Sequence, residues 1–114
     1  MFTIEKLKFF GCNVEEGLAR CLNDEGFYLR LVSSLVPDPK IDNLEQALLN
    51  KDYKRGFELA HALKGVYANL AITPLFRVSS EICELLRTGT DMDYSPLIKE
   101  LKELYQIFAK MKED

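Results

Sequence analysis

The sequence predicts an all-α chain: an antiparallel four-helix bundle over about residues 39–112, with two additional N-terminal helices, about 3–36, packed across it. Three observations carry this expectation. Apolar residues recur at three- and four-residue spacing, and no stretch alternates with period two over a useful length, so no sheet is expected. Three segments open on a capping-type residue followed by proline: Asp38-Pro39, Thr73-Pro74 and Ser95-Pro96. Proline suits a first helical position because the donor it lacks would have had no partner there. The connections between apolar stretches are short, which favours antiparallel neighbours.

Taken in order, Met1 to Phe10 mixes charge with apolar residues and contains no unbroken apolar stretch of the kind a signal peptide needs. Asn13 precedes Val14-Glu15-Glu16, an N-cap followed by acids in the first turn, where the helix dipole favours them. Leu18, Cys21 and Leu22 continue that stripe. Asp24-Glu25-Gly26 starts a second helix, with Tyr28 or Leu29, Val32, Leu35 and Val36 on its apolar side. After Pro39 come Ile41, Leu44 and Ala47 or Leu48. The segment from about Asp52 to Ile72 is expected to be the longest, with Tyr53, Phe57, Ala60, Leu63, Tyr67 and Leu70 at helical intervals. After Pro74 follow Leu75, Val78, Ile82 and Leu85 or Leu86, and the helix is expected to stop at Gly89. After Pro96, Leu97, Leu101, Leu104, Phe108 and Met111 form one side of an amphipathic helix whose other positions are Lys and Glu.

Composition narrows the function classes. The chain has 114 residues, 47% hydrophobic and 29% charged, enough for one domain, 1–114, that buries a core without metal or disulfide staples. The net charge is −3 with no basic block, so nucleic-acid binding has little support. No apolar run approaches a membrane span. Cys12, Cys21 and Cys83 are odd in number and form no CxxC pair, which argues against a disulfide framework and for a cytoplasmic location. With a single histidine and no clustered thiols, no metal site is expected. A free-standing monomer is expected.

The single histidine, His61, decides the functional reading. At about 100° per residue, the inward face of its helix centres on Gly56, Ala60, Leu63 and Tyr67, and His61 lies roughly 140° away, towards solvent. Its surface neighbours are Lys54, Phe57, Lys64, Gly65, Ala68 and Ile72. Glycine costs about 1 kcal/mol relative to alanine inside a helix, so Gly65, one turn after the histidine, makes sense if something must approach the ring closely. Lys64, at i+3, can reach a charge placed on the imidazole. A phosphoryl group would bring up to about −2 of charge there. Ala68 and Ile72 extend a low apolar strip suited to a partner.

His61-Ala62-Leu63-Lys64-Gly65, extended by Ala68-Asn69-Leu70, resembles the signature of the histidine-containing phosphotransfer (HPt) domain family, roughly His-x-Leu-Lys-Gly followed by small residues and Asn. The likeness covers about residues 11–89. It takes in Gly17-Leu18-Ala19-Arg20, Phe27-Tyr28-Leu29, Leu44-Glu45-Gln46-Ala47-Leu48, Asp52-Tyr53 and the Leu75–Arg87 helix. Two positions depart: Ala71 stands where the family usually has Gly, and Tyr67 where Ser or Ala is common.

The resemblance implies a phosphorelay intermediate in two-component signalling. His61 Nε2 would take a phosphoryl group from a receiver-domain aspartate and pass it to another receiver. Neutral imidazole is the nucleophile. The expected roles are His61 as phosphoacceptor, Lys64 as phosphoryl-stabilising group, Gly65 as steric clearance, and Phe57, Ala68 and Ile72 as docking contacts. Asn69 matches the motif without a role. No cofactor is expected in the chain itself, since Mg²⁺ would come from the receiver, and no nucleotide-binding loop is present, so the chain would be a phosphoryl carrier rather than an enzyme. Partners would be response-regulator receivers and hybrid sensor kinases. The alternative is an HPt-like adaptor that docks receivers without carrying phosphate.

Overall fold

The computed structural model describes residues 1–114. It contains seven helices and no strand. They are α1 (Ile4–Phe10), α2 (Val14–Arg20), α3 (Glu25–Ser33), α4 (Lys40–Leu49), α5 (Tyr53–Asn69), α6 (Thr73–Arg87) and α7 (Ser95–Glu113).

The N-terminal region holds three short helices where two were expected. Thr3 caps α1, its Oγ1 accepting from the Lys6 amide at 3.1 Å, so the charged and apolar residues of 4–10 form about two turns of their own. Asn13 and Asp24 cap α2 and α3 as their residue types suggest: Asn13 Oδ1 accepts from Glu16 N at 3.2 Å and Asp24 Oδ1 from Phe27 N at 3.1 Å. Two of the proline-marked starts begin one residue early. Thr73 and Ser95 are the first residues of α6 and α7, with proline second, and no side chain caps either helix. Thr73 Oγ1 instead takes the Asn13 amide at 3.3 Å, tying α6 to the turn before α2. The longest helix is α7, at 19 residues, ahead of α5 at 17.

Helix α4 packs on α5, α5 on α6, α6 on α7 and α7 back on α4, and the α5–α6 interface is the most extensive. One cluster of buried apolar side chains runs from Phe2 to Phe108. The N-terminal helices share it: the Phe2 and Phe10 rings lie 4.8 and 5.8 Å from that of Phe108 on α7. Gly17 lets α2 approach α3, since a Cβ there would fall 2.5 Å from Tyr28 Cε1. Buried Tyr28 in turn donates its hydroxyl to the Leu70 carbonyl at 2.8 Å, bracing the corner where α5 ends. Cys12, Cys21 and Cys83 are all buried and unpaired, and burial pushes the Cys12 thiol up to about 12, which leaves it unreactive. No helix is long and apolar enough to cross a membrane.

Tyr67 is fully buried on the core face of α5, yet its hydroxyl has no hydrogen-bond partner. An unsatisfied buried hydroxyl costs free energy that a phenyl edge of nearly the same shape avoids. Tyr67→Phe is therefore expected to be neutral to stabilising, by up to about 1 kcal/mol. Thermal and urea unfolding check this, and a clear drop in stability would mean that the hydroxyl has a partner.

Candidate functional site

Helix α5 presents two faces. Gly56, Leu59, Ala60, Leu63 and Tyr67 are buried against α4 and α6. His61, the next residue after Ala60, therefore turns outward and is exposed. One turn earlier, half-buried Phe57 stacks on the imidazole, with ring centroids 5.7 Å apart and planes 20° from parallel. The Arg87 guanidinium of α6 covers Phe57, its Cζ 5.4 Å from the ring centroid.

One turn after His61, Lys64 reaches across to α6, where its Nζ lies 3.2 Å from Glu84 Oε1. Arg87 Nε occupies the other oxygen, 3.2 Å from Oε2. The hydrogen bond from Lys64, aided by the charge of Arg87, holds the Glu84 carboxyl below the usual glutamate range. Phe57, His61, Lys64, Glu84 and Arg87 thus form one continuous patch across the α5–α6 seam. Glu84 and Arg87 were not singled out in the sequence. They are an ordinary i, i+3 pair of charges there, and only the register of α6 against α5 brings them beside His61.

Gly65 is exposed, and a Cβ built on it meets nothing within 4 Å. Its lack of a side chain is thus not needed for packing within the chain. Ala68, half-buried, continues the face towards Phe76, Arg20 and Glu16, with which it lines a shallow surface depression. Asn69 is exposed, and its Oδ1 accepts from Arg20 Nη1 at 3.5 Å, while Arg20 Nη2 bonds Glu16 at 2.9 Å. The motif asparagine therefore links the end of α5 to α2.

Ile72 does not belong to this surface. It was expected to extend the apolar strip, but it is fully buried. The expectation continued the α5 wheel past its end. The helix stops at Asn69, Ala71 takes a left-handed φ of 57°, and the reversed chain turns Ile72 into the core, its amide donating to the Tyr67 carbonyl at 2.9 Å. Ala71 thus occupies a conformation that glycine adopts at less cost. Of the three residues expected to dock a partner, Phe57 and Ala68 remain at the surface of α5, half-buried, and Ile72 does not.

His61 lines none of the three principal surface depressions, and no cluster of three or more His, Cys, Asp or Glu side chains is placed to hold a metal ion. The site is a helix surface with an exposed imidazole, two cations and an open stretch of backbone at Gly65.

Comparison with known families finds a match to the family described as Hpt domain over residues 38–110, more than half of the chain. No curated protein and no solved structure matches.

Proposed function

The chain belongs to the Hpt domain family, which gives it a histidine phosphotransfer role in phosphorelay, and from that premise we propose that His61 carries a phosphoryl group between receiver domains. The observation that best supports this is the exposed imidazole with Lys64 one turn on and open backbone at Gly65. Hpt domains work with the receiver domains and histidine kinases of two-component systems. Their part is that of a carrier, not of a catalyst with its own ATP site.

In the proposed step the Nε2 lone pair of neutral His61 attacks the phosphorus of a receiver aspartyl phosphate. The N–P bond forms as the Asp O–P bond breaks, and the electron pair returns to the carboxylate. The ring proton stays on Nδ1. The second transfer runs the same exchange in reverse, onto another receiver. Mg²⁺ and the acidic residues around it belong to the receiver. Phe57 fixes the plane of the imidazole by stacking, Gly65 admits the partner, Ala68 gives it apolar contact, and Asn69 braces α5 against α2. Helices α4 to α7 are read as an antiparallel bundle within a single domain spanning 1–114, acting as a monomer in the cytoplasm.

The test is incubation with a phosphorylated receiver. The chain is expected to acquire phosphate that is labile in acid and stable in alkali, and to lose it to a second, unphosphorylated receiver. A chain that binds the receiver tightly but stays unlabelled would be the docking adaptor instead.

Lys64→Ala removes the cation one turn after the proposed phosphoryl position. A charge-assisted contact of this kind is worth about a factor of ten or more in rate or affinity. Transfer to Lys64→Ala should slow by about tenfold, while unfolding stability shifts by less than about 1 kcal/mol because the Lys64–Glu84 pair lies at the surface, with Lys64 half-buried and Glu84 open to solvent. Stopped-flow transfer rates and urea unfolding read the two quantities, and equal transfer rates would remove Lys64 from its role.

A further inference from the structure

The two cations at the α5–α6 seam, Lys64 and Arg87, are already engaged. Lys64 lies on Glu84 Oε1 and Arg87 on Oε2, both at 3.2 Å. One carboxylate thus holds the two positive side chains that a phosphoryl group would need, and together the three side chains carry a net charge of only +1. We propose that Glu84 is a displaceable counter-ion: it holds Lys64 and Arg87 while His61 is bare, yields them when His61 is phosphorylated, and by its remaining negative charge biases the phosphoryl group towards leaving. The proposal deepens the carrier reading and rests on it.

Three features support exchange over a fixed bridge. The pair is not locked by burial, with the Lys64 and Glu84 side chains 26% and 52% exposed, and exposed pairs are weak. A phosphoryl group of charge near −2 attracts a lysine about twice as strongly as a carboxylate at the same distance. Lys64 stands one turn from His61 on the same helix, so rotation about its flexible stem carries the ammonium from Glu84 towards the imidazole with no backbone movement. Arg87 is more constrained because it also covers Phe57, and on this account it is the slower or partial donor. Glu84 itself stays behind as an anion facing a dianion. A carrier gains from this arrangement, because a phosphohistidine that is stabilised too well does not pass its cargo on.

Glu84 contacts neither the imidazole nor the partner in this account. It is a positioning residue acting through Lys64 and Arg87, and the variant that tests it is Glu84→Gln, which keeps size and helix propensity while removing the charge. With wild-type chain and one receiver at fixed ionic strength, the equilibrium ratio of phosphohistidine to aspartyl phosphate is measured, then repeated for Glu84→Gln, Lys64→Met and the double variant. Glu84→Gln should raise the ratio by about three- to tenfold, as expected for one screened charge near a dianion. The increase should shrink by at least half in the Lys64→Met background. In parallel, the ¹³C resonance of the Glu84 carboxyl is followed while His61 is phosphorylated chemically with phosphoramidate. It should move as Lys64 departs, a signature that a merely structural charge would not give. A ratio unchanged within twofold, or a carboxyl signal that stays in place on the loaded chain, overturns the proposal. The phosphoramidate arm needs no receiver and so tests the counter-ion by itself, while receiver labelling tests the carrier reading. Failure of any receiver to label the wild-type chain counts against the carrier reading, whereas normal labelling with an unaltered Glu84→Gln ratio counts against the counter-ion alone.

Discussion

His61→Gln is expected to abolish phosphotransfer completely while leaving the fold intact. The amide nitrogen of glutamine has its lone pair delocalised into the carbonyl, so it cannot replace the imidazole as attacking atom, and the chain has no second histidine to substitute for it. Nothing in the core depends on the ring. His61 is exposed, and its ring stacks on that of Phe57. Loss of that stacking costs about 0.5–1 kcal/mol, partly offset because glutamine is the better helix former of the two. The variant should therefore unfold within about 1 kcal/mol of wild type, bind receiver, and carry no acid-labile phosphate. Retained labelling would locate the acceptor elsewhere. Unchanged binding without labelling in both variant and wild type would leave only a docking function.

The parts of this site that could be read in the sequence are those fixed within one helix. The periodicity of Gly56, Ala60, Leu63 and Tyr67 turns these residues to the core and His61 away from it. The spacing to Lys64 and Gly65 then follows from helix geometry alone. Caps written into a single turn, such as Asn13 with Glu16 or Asp24 with Phe27, are legible for the same reason. What depends on the relation between elements is not. The pairing of Lys64 with Glu84 requires the register of α6 on α5, which no local pattern encodes. The seven residues of α1 are too few to show a stripe, so their helix emerges only when Phe2 and Phe10 are seen against Phe108. Ile72 shows the opposite failing. A wheel has no end of its own, and the left-handed Ala71 that terminates the pattern is an alanine, the residue least suggestive of a stop.

Gly65→Leu should leave the chain as stable as wild type or more so, and should slow transfer by about a hundredfold. The two halves of this expectation come from the same fact. A Cβ at position 65 meets nothing within 4 Å and the residue is exposed, so a side chain there starts into open space, and replacing glycine inside a helix by a good helix former gains about 0.5–1 kcal/mol. On the proposed carrier reading, a position where the folded chain would be better off with a side chain, yet has none, is kept open for what must come close from outside. One turn from His61, a leucine side chain would stand where the receiver has to bring its aspartyl phosphate, and misplacement of reacting atoms by about 1 Å is enough to lose a factor of about a hundred in rate. Gly65→Ala serves as the graded control. It takes most of the helix-propensity gain with a single methyl, so its melting temperature should rise while its transfer rate falls far less than that of leucine. Rates that do not depend on side-chain size at position 65 would mean that the partner approaches His61 from another side. The open backbone there would then be no more than a weak point in α5.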